Sequence, residues 1–413
     1  MIVFDKFTLK NGLKVIVHTD NSTPIVAMNV LYNVGSRDEN PERTGFAHLF
    51  EHLMFGGSIN IERYDEPLER AGGENNAFTN DDFTNYYLTV PVHNLETAFW
   101  LESDRMLDLA FSEKSLDVQR NVVVEEFYQN YLNQPYGDAW LLLKSLAYKV
   151  HPYQWATIGK EPKHISEASM QEVKDFYAKF YNPCNAILVV AGDVETENIK
   201  RLCEKWFEPI EKGYTYTRNL PKEPVQTAYR SIKVERDVPF DAIYMAWHTC
   251  SRLNNKFYAT DLISDILSAG ESSRLYQRLV KERQLFSSIN AYISGNIEEG
   301  LFVITGKLMK GVSMDQGEQA IIKEVESICK GETTEKELQK VKNRVEALLA
   351  FNEMRALDKA MNLAYYELLG NAQDINGLYD KYAEIHLSDI QETAKDIFKE
   401  TNCSTLFYKA KKH

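Results

Sequence analysis

The segment Pro24-Ile-Val-Ala-Met-Asn-Val-Leu-Tyr-Asn-Val-Gly-Ser-Arg37 returns, altered, as Pro239-Phe-Asp-Ala-Ile-Tyr-Met-Ala-Trp-His-Thr-Cys-Ser-Arg252. At a constant offset of 215 the two keep the proline, an alanine and the closing Ser-Arg, and both read as strands. The helix that follows repeats as well, with Gly56 opposite Gly270 at an offset of 214. A chain that repeats a strand and its helix after half its length builds one scaffold twice. Length agrees, since 413 residues exceed one ordinary core. The expected fold is α+β, with two homologous domains over 1–210 and 227–413, each a largely antiparallel sheet packed with helices. Between them 211–226 is polar and carries Pro221 and Pro224, as a linker should. Near the end, Leu338, Val341, Val345, Leu348 and Leu349 recur at helical intervals and predict one core-facing helix over 336–369.

The two copies differ where chemistry is concerned. The first contains Gly45-Phe-Ala-His-Leu-Phe-Glu-His-Leu-Met-Phe55, in which His48 and His52 stand four apart. On a helix such residues lie about 40° apart around the axis, so both imidazoles can reach one metal ion. Glu51 shares that face and can take a proton from a metal-bound water. This H-x-x-E-H order inverts the commoner H-E-x-x-H zinc-protease pattern. In the second copy the same positions are Leu262, Asp265 and Ile266, so the scaffold is kept and the chelate is lost.

A zinc site that does chemistry needs three protein ligands and one open position. The segment Ser115–Asn133 offers a third: Leu116, Val123, Phe127 and Tyr131 recur at helical spacing, and Gln119-Arg-Asn-Val-Val-Val-Glu-Glu126 lies within it. Neighbouring helical positions point about 100° apart, so one of Glu125 and Glu126 can face the metal, and spacing does not choose between them.

Composition narrows the alternatives. A net charge of −13 argues against nucleic acid and anionic membranes as partners. Five cysteines at scattered spacings, without a C-x-x-C, read as free thiols in a reducing compartment, which points to the cytoplasm. Met1-Ile-Val-Phe-Asp-Lys shows neither a secretory nor a transit pattern, and no apolar run approaches membrane-spanning length. His18, His93, His164, His248, His386 and His413 lack metal-ligand spacing and are read as surface or packing residues, and His151 as structural.

Over most of its length the chain resembles the pitrilysin/insulinase/mitochondrial-processing-peptidase group of zinc metallopeptidases. The resemblance is carried by Phe7-Thr-Leu-Lys-Asn-Gly-Leu13, the H-x-x-E-H helix, Gly72-Gly-Glu-Asn-Asn-Ala-Phe-Thr79 and Thr84-Asn-Tyr-Tyr87. It continues through His151-Pro-Tyr153, Ile158-Gly159 and Phe180-Tyr-Asn-Pro183. It implies a Zn2+ cofactor with Glu126 as third ligand, being the last glutamate of an E-R-x-x-x-x-x-E stretch. The first glutamate of that stretch is Gln119 here, about 10 Å along the helix, so it can support the site only from behind the ligand. Glu125 is expected in solvent. The implied reaction is peptide hydrolysis: zinc acidifies water and polarises the carbonyl, while Glu51 accepts the proton and returns it to the leaving amine. By pattern, Ala77–Thr79 and Phe83–Val90 are strands around the turn Asn80-Asp-Asp82. The resemblance makes the first of these an exposed edge on which substrate adds as a strand, with Asn76, the backbone of Ala77 and the side chain of Phe78 as contacts.

Such proteins fold as two α+β halves closing like a clamshell around a chamber, which admits oligopeptides or unfolded chains. After Ser272-Ser-Arg-Leu-Tyr-Gln-Arg-Leu279, active relatives carry an Arg/Tyr pair that stabilises the transition state. Aligned on Leu279 those positions are Val280 and Phe286, with Arg278, Arg283 and Tyr292 nearby. The implied partner is a homologous sister subunit supplying that pair, in a heterodimer, or else a second copy in a homodimer. The alternative is a non-catalytic scaffold subunit of a larger assembly.

Overall fold

The computed structural model describes residues 1–411, so His413 lies outside them. The strands form two sheets. The first contains β1 (Asp5–Thr8), β2 (Lys14–Thr19), β3 (Ile25–Tyr32), β4 (Glu74–Thr79), β5 (Thr84–Pro91) and β6 (Ala186–Gly192), in the order β1-β2-β6-β3-β5-β4. The second contains β7 (Arg230–Arg236), β8 (Ala242–His248), β9 (Phe286–Ile293), β10 (Leu301–Leu308) and β11 (Cys403–Ala410), in the order β7-β11-β8-β10-β9. Apart from β1 the two orders are the same. Each sheet has one parallel pair, β2 with β6 and β7 with β11, and is otherwise antiparallel. The repeated segments become β3 and β8, each inside its sheet and covered on both faces. Their near-continuous apolar sequences, Ile-Val-Ala-Met-Asn-Val-Leu-Tyr and Ala-Ile-Tyr-Met-Ala-Trp-His, follow from that double burial. The one amide inside β3, Asn29, exchanges two side-chain hydrogen bonds with Asn85 of β5, at 2.9 and 2.7 Å.

The compact units do not follow consecutive halves of the chain. One comprises Met1–Phe127, Trp155–Leu220 and Ala350–Gly377. The other comprises Tyr128–Gln154, Pro221–Leu349 and the chain from Leu378 onward. A division into 1–210 and 227–413 misses this exchange, in which each half lends one helix to the other unit. Helix Ala139–Ala147 lies on β7, β8 and β11, and helix Ala356–Leu369 lies on β2, β3 and β6. The single helix expected over 336–369 is accordingly two, Glu335–Asn352 and Ala356–Leu369, because the chain leaves one unit for the other near the break. The segment 211–226 is not a loose spacer either. Arg218 donates to Asp38 at 2.7 Å in the first unit, and Glu223 accepts the N–H groups of Lys149, Val150 and His151 in the second.

Each lent helix completes a core. Leu363, Ala360 and Ala364 pack with Ile16, Leu31 and Val189 in the first unit, and Leu143, Ala139 and Ala147 pack with Ala246, Val303 and Leu406 in the second. Leu363 has no exposed surface, so Leu363→Ala should cost about 2–5 kcal/mol in denaturant unfolding. A loss under about 1 kcal/mol would mean the helix does not cover that sheet.

All five cysteines are free thiols. Among the described residues no helix is long and apolar enough to cross a membrane. His151 is structural as expected: its ring nitrogens meet Glu298 at 2.8 Å and the Tyr153 N–H at 3.1 Å.

Candidate metal centre

The centre lies wholly in the first unit. It begins with α1 (Phe46–Leu53), a two-turn helix whose apolar residues Phe46, Ala47, Leu49, Phe50 and Leu53 are buried. The opposite stripe leaves His48, Glu51 and His52 half-buried. Gly45 enters the helix at φ 93°, in the left-handed region, and a Cβ there would meet the Ile158 carbonyl oxygen at 2.8 Å. Only glycine fits both the angle and the space.

The third group comes from helix Glu113–Phe127, which packs on α1. Glu126 turns inward, and its Oε2 lies 3.5 Å from Nε2 of His48 and 3.5 Å from Nε2 of His52. One ligand atom from each of the three falls within 4.8 Å of the others. Ligands 2.0–2.2 Å from a tetrahedral zinc lie about 3.3–3.6 Å apart, so this donor set fits the ion. Glu125 points to solvent, and Gln119 is half-buried two turns earlier on the same helix, outside the group of three. Its neighbour Arg120 ties that helix to the main chain at Ala168.

The electrostatics suit a ligand set. Burial first, and the neighbouring His52 second, push the His48 imidazole down to about 4 in the metal-free chain, so it is neutral with a free lone pair near pH 7. Its Nδ1 is buried without a hydrogen-bond partner among the described residues, so packing alone orients the ring. The Glu51 carboxyl is raised above the ordinary carboxylate range by burial. The nearby Thr79 pulls the other way, while its hydroxyl donates to the Ala47 carbonyl at 3.5 Å.

That threonine ends β4, which among the described residues pairs only with β5 and is an edge of its sheet beside α1. The strand starts at Glu74 and not at Ala77, because asparagine-rich sequence hides strand character. The turn bond from Asn80 N–H to Phe83 O, 3.1 Å, sets the pairing parity. Ala77 and Thr79 therefore turn their main-chain groups to the open edge. The Ala77 N–H is met by Asn76 Oδ1 at 2.8 Å. Phe78, about a third exposed, stands edge-on to Phe83 at 5.7 Å.

Residues that local sequence patterns do not single out support α1 from below. Tyr86 donates to the Phe50 carbonyl at 3.2 Å, and Arg105 lies over the rings of Phe55, Tyr64 and Tyr86 at 5.4, 4.6 and 4.5 Å. Arg105 is itself held by Glu102 through bonds of 2.5–2.9 Å. Glu39 accepts the N–H groups of Gly45 and Ala47, both at 2.9 Å. No local rule connects these residues to α1, since the partners lie from six to about fifty positions away.

Comparison with known proteins agrees with this architecture. Residues 14–160 match the model described as insulinase (peptidase family M16), and residues 167–345 match the peptidase M16 inactive domain. The second match covers the half in which buried Leu262 and Ile266 replace the histidines. The chain is 30% identical to the zinc protease PqqE of Helicobacter pylori over 411 residues, covering 98% of this chain and 92% of that one. It is 24% identical over 399 residues to YmxG of Bacillus subtilis, an uncharacterized zinc protease, covering 96% of each. A crystal structure of a protease from Helicobacter pylori superposes with a TM-score of 0.93 at 29% identity, covering 99% of this chain and all of that one. By sequence and by fold, this chain belongs to the insulinase family of peptidases, family M16.

Proposed function

We propose that this chain is a zinc-dependent endopeptidase acting on oligopeptides or unfolded segments. The observation that carries the reading is the convergence of His48, His52 and Glu126 with Glu51 on the same face of α1. The chemistry a zinc ion supplies when held there is activation of water and polarisation of a carbonyl. Glu51 accepts the proton of the attacking water and delivers it to the leaving amine nitrogen. The substrate binds as an added strand on β4, which requires an extended chain. The pairing positions on that edge are Ala77 and Thr79, whose main-chain groups face away from β5. The incoming chain displaces Asn76 Oδ1 from the Ala77 N–H, and Phe78 borders the same stretch.

The reading includes a second subunit. In the second unit Val280 cannot donate a hydrogen bond, Phe286 is buried, and Arg278 is paired with Glu324 at 2.7 Å. An oxyanion stabiliser is then supplied by a homologous sister subunit or by a second copy. The test is a quenched-peptide assay on the purified chain, after chelation, after zinc restoration, and with a co-expressed sister. We expect zinc-restorable activity that rises at least about tenfold with the sister, a fraction of what an oxyanion donor contributes. Absence of zinc-dependent hydrolysis in every arm would end the peptidase reading. Full activity from the chain alone would end only the dependence on a sister.

A further inference from the structure

We infer that Glu39 is a positioning residue that holds the metal-binding helix in register, an inference that rests on the metal reading above. Its side chain is 5% exposed, and no cationic side chain is paired with it among the described residues. A carboxylate buried without a counter-charge is costly unless hydrogen bonds replace its water. Three N–H donors offset part of that cost, Gly45 at 2.9 Å, Ala47 at 2.9 Å and the Trp155 indole at 3.1 Å, while burial still holds the carboxyl up at about 8. Two of them belong to the entry and first turn of α1, where helical N–H groups have no partner of their own. The third fixes the carboxylate from the far side, and the same indole N–H reaches the Ser36 carbonyl at 2.9 Å.

The helix so held is eight residues long, too short to keep its own shape in water. His48 follows directly on Ala47, whose N–H the carboxylate grips. Any slip of the first turn therefore moves the first imidazole relative to Glu126, which sits on a separate helix. A three-ligand site tolerates only about 0.5 Å of such movement. The frame behind Glu39 is correspondingly stiff. The Arg37–Asp82 pair is buried at 2.7 Å, Gly35 N–H donates to Asp38 at 3.1 Å, and a Cβ on Gly35 would meet the Asp81 carbonyl oxygen at 2.5 Å. Glu39 thus transmits the position of a fixed turn to a short helix.

The variant Glu39→Gln keeps the shape and turns an NH2 toward an N–H donor. Zinc affinity, measured by competition with a chromophoric chelator, should weaken about 10–100-fold, as when groups that orient metal ligands are lost. The visible spectrum of the cobalt-substituted protein should change with it. Trp155→Phe, which removes one donor and keeps the ring, should move both readouts in the same direction by a smaller factor. Leu143→Ala, in the core of the second unit, controls for general destabilisation and should leave zinc affinity unchanged. Affinity within twofold of wild type and an unaltered cobalt spectrum in Trp155→Phe, together with the same result or failure to fold in Glu39→Gln, overturns the inference. A wild-type chain that binds no zinc at all overturns the metal reading instead.

Discussion

Glu51→Gln is expected to abolish peptide hydrolysis while leaving about one zinc per chain. Loss of a general base costs about 10²–10⁴-fold in rate. The amide is isosteric, so α1 and its ligands should stay in place. The wild-type pH profile should fall on its acidic side, because a base is active only when deprotonated, and the variant's residual rate should lack that limb. The measurement is kcat/KM against pH for wild type and variant, with zinc counted by atomic absorption. A variant that cleaves at the wild-type rate, or that loses its zinc, removes Glu51 from the role of base.

The neighbouring glutamates provide the second large contrast. Glu126 is 3.5 Å from both imidazole nitrogens, whereas Glu125 is exposed on the same helix. Glu126→Gln should lower zinc affinity by more than the 10–100-fold that changes behind a ligand produce, because a direct donor is lost. Glu125→Gln should leave zinc binding unaltered and stability within about 0.5 kcal/mol. Isothermal titration of both variants decides the matter. Equal loss in the two would mean that charge on the helix matters and direct ligation does not.

How far these features could be read in advance depends on their range along the chain. The histidine pair and Glu51 were legible because helical periodicity alone brings them together. The duplicated scaffold was legible because β3 and β8 are buried on both faces and keep their apolar character. Choosing Glu126 over Glu125 needed the family resemblance, since each lies within reach of the same rotation, and the packing of two helices makes the difference visible. The exchange of helices was not legible. Periodicity reports that Leu363 faces a core and cannot say which core, so 336–369 reads as one helix. Glu39 and Arg105 were silent for the same reason, being tied to α1 only through tertiary contacts.

The lent helices bear on how the protein is made. The last strand of the first sheet, β6, ends at Gly192, and the helix that covers Ile16, Leu31 and Val189 begins at Ala356. Translation at about 5–20 residues per second leaves that apolar face uncovered on the nascent chain for roughly ten to thirty seconds. During that interval the complete ligand set has already been synthesised, on a sheet without its cover. Such long-range closure makes for slow folding and exposure to aggregation, so a chaperone that shields the growing chain would raise the yield of metal-competent protein.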